Sequence, residues 1–233
     1  MESYLATIQE HPRLWALWRK MAPSPAAEVA SMMGFESLLQ RYAEPQRFYH
    51  TIDHLYDLAE QFEQYEATFG EDSIAVIAAL FFHDAVYKGV HGKDEADSAA
   101  LAKQVLPYLD LGQRDVQRAV DIILMTAQHA ASAGDHAAQL FLDMDMSILG
   151  ADPERYARYA DNVFREYTYE RYTAAEMCVG RAAFLHNTLE QGAPIFKTAE
   201  YAHLGSIAKR NMSDEIVRLN ARKTQLDVAK YQP

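Results

Sequence analysis

An all-α chain is expected from three features of the sequence. Apolar residues recur at three- and four-residue spacing along almost the whole length, alternating β-branched segments are few, and helix start signals stand where that pattern begins. The periodicity predicts helices over 2–20, 26–42, 50–68, 73–87, 94–108, 113–131, 136–149, 153–170, 173–190 and 199–228. Gly70-Glu71-Asp72-Ser73 separates the third from the fourth, and Gly89 with Gly92 opens a loop before the fifth. Gly134-Asp135 and Gly150-Ala151-Asp152 punctuate the later ones.

Asp152-Pro153-Glu154 supplies an N-cap, a proline at the first helical position and an acid near the positive end of the dipole. Thr173 and Glu176 have capping-box spacing. Gln191-Gly192-Ala193-Pro194 ends the ninth helix. The last reads as a packed amphipathic helix whose Lys209, Arg210, Asp214 and Glu215 form a solvated charged face. No repeat, low-complexity tract or linker marks a boundary, so one helical domain over residues 1–233 is expected.

Charge and composition narrow the function classes. The net charge of -11 disfavours a broad nucleic-acid surface or an anionic membrane surface, since either would repel the chain. The longest fully apolar run, Ile74 to Phe82, is far short of the roughly 18 residues that span a bilayer, and residues 1–20 lack the pattern of a signal peptide. A cytoplasmic protein is expected. The one cysteine, Cys178, excludes an intramolecular disulfide and reads as a small apolar helix residue.

Three separated clusters carry the chemistry: Tyr49-His50-Thr51-Ile52-Asp53-His54, His83-Asp84, and Asp143-Met144-Asp145-Met146-Ser147. Imidazole and carboxylate donors suit a divalent ion such as Zn, Mn, Fe, Co or Ni better than a soft, thiolate-preferring one. The apolar helix from Ile74 runs straight into His83-Asp84, and a carboxylate at the end of a buried helix is costly unless paired or metal-bound. On a helix His50 and His54 share a face; if Thr51 caps that helix, the two rings diverge. Phe141, Leu142, Ile148 and Leu149 lie three or four residues from Asp145, which points it to the core side. Asp143, rotated by roughly 200°, is expected to face solvent or cap a neighbour.

The order His54, His83-Asp84, Asp145 on a helical chain resembles the HD superfamily of metal-dependent phosphohydrolases. Tyr49-His50-x-x-x-His54 and Asp145-Met146-Ser147 are similar to motifs of its cyclic nucleotide phosphodiesterase branch. Arg47-Phe48-Tyr49-His50, Phe82 to Tyr87, Glu95-x-x-Ser98, Ser147-Ile148-Leu149-Gly150, Arg165-Glu166-Tyr167 and Gly180-Arg181 look like a small bacterial-type group of predicted HD phosphohydrolases. The likeness covers about residues 40–190 and implies an HD-type helical bundle with additional N- and C-terminal helices. Thr51 and Tyr87 depart from the phosphodiesterase pattern, which has asparagine and a second histidine there. His129 and His136 are the candidates to restore a second metal.

The resemblance implies that His54, His83, Asp84 and Asp145 hold one or two divalent ions (Mn, Fe, Zn, Mg, Co or Ni) and that His50 donates a proton. A metal-activated water would then attack a phosphomonoester or phosphodiester, with a nucleotide or other small phosphorylated metabolite as substrate. Asp84 would bridge ions or orient the water. Arg47, Lys88 and Lys93 are candidates to stabilise the phosphate. Glu95 and Ser98 read as loop-bracing; Arg165, Glu166 and Arg181 read as an ion-pair network between late helices. Tyr42, Phe48, Tyr49, Tyr87 and Tyr167 are core aromatics or stacking partners for a base. Two rival readings stay open: a di-iron oxygenase, and a non-catalytic nucleotide- or metal-binding regulator. Oligomeric state, a homodimer included, is not fixed by sequence.

Overall fold

The computed structural model describes residues 2–190 and 192–229, with no side-chain account for Glu2, Ser3 and Ala229. Among the described residues there are helices and turns and no strand. The expected all-α class is what the chain adopts. The chain separates into two compact units at the Met144–Asp145 bond.

In the first unit α1 (Glu2–Glu10) and α2 (Pro12–Arg19) replace the single helix expected over 2–20. Pro12 explains the break: it pushes the residue before it out of the helical region, and His11 sits at φ -124, ψ 56. α3 (Glu28–Tyr42), α4 (Ile52–Phe69) and α5 (Ser73–Phe82) follow. α5 is apolar on every side and buried from Ala75 to Phe82, so it forms the centre of this unit. Trp18 on α2 seals it, its ring edge-on to Phe81 at 5.1 Å and stacked on Phe82 at 5.9 Å. The Trp18 indole N–H, which burial would otherwise leave unpaired, donates to Ser31 on α3 at 3.0 Å.

α6 (Lys93–Val105) and α7 (Gln113–Thr126) pack against each other and on α5. α7 stops five residues short of the expected end. The Thr126 hydroxyl turns back to the Ile123 carbonyl at 2.7 Å, and His129 takes a left-handed conformation with φ 45. Arg118 on α7 ties the surrounding turns by donating to Asp135 and to Asp72. α8 (His136–Met146) begins in this unit and runs across the division.

The second unit holds a 3-10 turn (Ser147–Gly150), α9 (Pro153–Thr168), α10 (Ala174–Glu190), a second 3-10 turn (Ala202–Leu204) and α11 (Gly205–Ala229). Two expected start signals are made. The Asp152 carboxylate accepts from the backbone N–H groups of Glu154 and Arg155, and Thr173 and Glu176 exchange reciprocal bonds of 3.2 and 2.8 Å. Cys178 is buried on α10. Gln191, expected at the end of that helix, lies outside the described residues.

α10 and α11 pack along their lengths, and the backbone of residues 149–151 is pinned to α11 by Asn211, whose side-chain amide donates to the carbonyls of Leu149 and Ala151, both at 2.9 Å. Gly150 lets that turn approach closely, since a Cβ there would lie 2.5 Å from the Leu204 Cβ. Glu215 corrects the sequence reading of α11: it is buried, not part of a solvated face. No helix among the described residues is long and apolar enough to cross a membrane.

Candidate metal centre

The end of α5 delivers His83 and Asp84. The helix stops at Phe82, not at the expected residue 87, because side chains from the preceding segment take the carbonyls that continuation would use. The Tyr42 hydroxyl donates to the Phe81 carbonyl at 3.1 Å. Arg47 donates to the carbonyls of Asp84 at 2.8 Å, Ala85 at 3.4 Å and His50 at 3.1 Å. Its side chain is 0% exposed and its guanidinium lies 4.9 Å from the Tyr42 ring and 5.3 Å from that of Tyr87. Arg47 therefore joins the His50 segment to the Asp84 loop through backbone groups. Its guanidinium is spent on that junction instead of a phosphate.

Thr51 is the N-cap residue of α4 and makes no side-chain capping bond, so His50 stands outside the helix and His54 inside its first turn. The divergence this permits is modest. The two rings are 5.8 Å apart at 80°, and the Nε2 atoms of His50 and His54 lie 3.8 and 3.9 Å from Asp84 Oδ2. His83 Nε2 lies 3.1 Å from that same oxygen and 3.2 Å from His54 Nε2. Three imidazoles thus converge on one carboxylate oxygen. His54 and His83 are buried, while His50 and Asp84 keep 20% and 18% side-chain exposure and form the open side.

The tautomer of His83 decides what belongs between these atoms. Its Nδ1 lies 3.1 Å from the Leu80 carbonyl, which can only accept, so Nδ1 carries the proton. Neutral His83 then presents a bare Nε2 lone pair to Asp84 Oδ2, acceptor against acceptor at 3.1 Å. Such a pair repels unless a cation or an added proton lies between them. A ring N–H donated to a backbone carbonyl is also the support that metal-ligating histidines ordinarily have. Ligands at about 2.1 Å from one ion lie about 3.0 to 4.2 Å apart. The 3.1, 3.2 and 3.9 Å separations fall in that range, and the nitrogen-oxygen donor set fits a divalent ion.

Asp145 sits in the last turn of α8 and opens the second unit. Asp143 departs from expectation: it is 3% exposed and does not face solvent. From Leu140 to Met144 every residue of α8 is buried, so that helix has no solvent face on which a 200° rotation would put it. His136 opens α8, exposed and nine residues before Asp145, about 13 Å along the axis. His129 lies in the turn after α7, half-buried.

The rim loop is braced from α6. Ser98 Oγ accepts from the Val86 N–H at 3.0 Å, and Asp94 accepts from the N–H groups of Lys88 and Val90, each at 2.8 Å. Ser98 has its expected bracing role; Asp94, which also braces, was not singled out by the sequence. Glu95 lies 3.5 Å from His91. Lys88 and Lys93 both reach Asp97, at 3.9 and 2.6 Å. Tyr87 lies against His50, ring centres 4.6 Å apart.

Within the second unit Arg181 pairs with Glu215 at 3.0 Å, a partner on α11 that the sequence did not assign to it. Arg181 also donates to the Tyr159 hydroxyl at 3.1 Å, and Tyr156 donates to Glu215. Burial alone would lower the Arg181 guanidinium, yet Tyr159 and Glu215 hold it above its ordinary value, charged throughout. Burial raises the Tyr159 phenol, Arg181 opposes that, and Asp145 adds to the rise. Nothing local in α11 distinguishes Glu215 from its exposed neighbours, so sequence spacing offered no signal for it.

No family model matches this chain, and no curated protein or solved structure matches it.

Proposed function

We propose that this chain is a metal-dependent phosphohydrolase acting on a phosphomonoester or phosphodiester, a nucleotide or other small phosphorylated metabolite. One observation carries the reading: His83 Nε2 lies 3.1 Å from Asp84 Oδ2, with its Nδ1 on the Leu80 carbonyl, while His54 and His50 approach the same oxygen. His54, His83, Asp84 and Asp145 would hold the ion, as the resemblance to the HD superfamily implies. When bound, a divalent ion there supplies an acidified water and a Lewis acid for a phosphoryl oxygen.

The remaining work falls to the chain. His50 lies on the open side, 20% exposed, and its backbone is fixed by Arg47 and its ring flanked by Tyr87. It carries a proton at Nε2 to the leaving oxygen, since imidazole titrates near neutrality. Asp84, the oxygen all three imidazoles approach, orients the attacking water. Burial of His54 and His83 fixes their rings and keeps bulk water from the inner side.

The test is phosphate release from p-nitrophenyl, alkyl and nucleoside phosphates by wild type, Asp84→Ala and His50→Ala, each loaded with Mn, Zn or Fe. The proposal expects turnover that Asp84→Ala abolishes. His50→Ala slows alkyl esters more than p-nitrophenyl esters, because a good leaving group needs no acid. Turnover indifferent to Asp84→Ala, or dioxygen uptake without phosphate release, overturns it.

A further inference from the structure

From the first unit we infer that an open groove beside the rim loop binds a small phosphorylated anion at a site separate from the histidine cluster. The groove is a shallow concavity between α3, the rim loop and α6, and Arg41, Lys88 and Lys103 line it with Asp97 as its one carboxylate. It shares no side chain with His50, His54, His83 or Asp84. Three cations against one acid is a local reversal in a chain of net charge -11.

Two of these charges, Arg41 and Lys103, are poorly compensated. Among the described residues no carboxylate lies within ion-pair distance of Arg41 or Lys103. Asp97 is engaged by Lys93 at 2.6 Å and lies 3.9 Å from Lys88. Like charges facing one concavity concentrate a positive potential there, which a multivalent anion relieves.

The donor types select the class of anion. A guanidinium fork with two ammonium groups matches the several oxygens of a phosphate or diphosphate, each contact charge-assisted. Val86 and Leu101 give apolar wall for an organic portion. A nucleic-acid strand needs a longer basic track, which the acidic balance of the chain disfavours.

Calorimetric titration of the full chain with inorganic pyrophosphate, at fixed ionic strength, tests the assignment. Wild type should bind saturably with one ligand in the groove, and Arg41→Gln with Lys103→Gln should weaken it by about tenfold or more. Lys103→Glu alone, at an exposed position, gives the same reading if the double variant folds poorly. Absence of saturable binding at millimolar pyrophosphate overturns the inference. So does binding that these substitutions leave unchanged, which would put the anion elsewhere.

Discussion

Arg47→Ala separates the two segments that carry the cluster, and its cost can be worked from the bonds it removes. Two short bonds, to the carbonyls of Asp84 at 2.8 Å and His50 at 3.1 Å, are lost, and the Ala85 bond at 3.4 Å contributes little. A buried acceptor left unpaired costs about 1–3 kcal/mol, and these two bonds are part-buried, which places each at about 1–2 kcal/mol. Loss of the guanidinium from between Tyr42 and Tyr87 adds about 1 kcal/mol. These overlap, so the expected destabilisation is about 3–5 kcal/mol, a large part of the roughly 5–15 kcal/mol that holds an ordinary domain folded. Urea unfolding of metal-free protein measures it. Arg47→Lys keeps the charge but loses the fork and should recover less than half. A loss below about 1 kcal/mol for Arg47→Ala would refute the view that this side chain holds the Asp84 loop to the His50 segment.

Three further outcomes are expected. Glu215→Ala leaves the Arg181 charge buried without its partner and should cost about 3–5 kcal/mol in denaturant unfolding, whereas replacing both by apolar residues should cost far less. Gly150→Ala drives a Cβ into Leu204 and should cost about 1–3 kcal/mol, with Leu204→Ala reducing the penalty in a double-mutant cycle. Hydrogen bonds from Arg118 hold the Asp135 carboxyl below its ordinary value, although burial opposes them. Because the folded value is the lower one, this stabilisation is full above the unfolded carboxyl value of about 4 and fades as pH falls through the folded value. Asp135→Asn should lose stability at neutral pH and flatten the acid limb of the stability curve; an unchanged limb would remove Arg118–Asp135 from the account.

What was legible in the sequence is what local chemistry decides. The buried helix α5 follows from its unbroken apolar run, and the starts of α9 and α10 follow from caps written within four residues. His54, His83 and Asp84 were legible as an ordered set of residue types, though only chain folding brings the two histidines to one carboxylate oxygen. Tertiary effects account for the rest. Where α5 stops depends on Tyr42 and Arg47, some forty residues earlier, and Arg47 reads in sequence as an available cation. Asp143 was misplaced because rotation about one helix assumes a solvent side, which α8 lacks there. Glu215 was misplaced for the converse reason: a charged residue in an amphipathic helix reads as exposed until its partner, Arg181, is known.

The most direct measurement is metal stoichiometry, by equilibrium dialysis against Mn and Zn followed by elemental analysis, of wild type and His83→Ala. The account predicts one or two ions per wild-type chain, with affinity reduced by about tenfold or more in the variant. A wild type that retains no ion under any loading condition would contradict it, and the 3.1 Å approach of His83 to Asp84 would then be held by a proton.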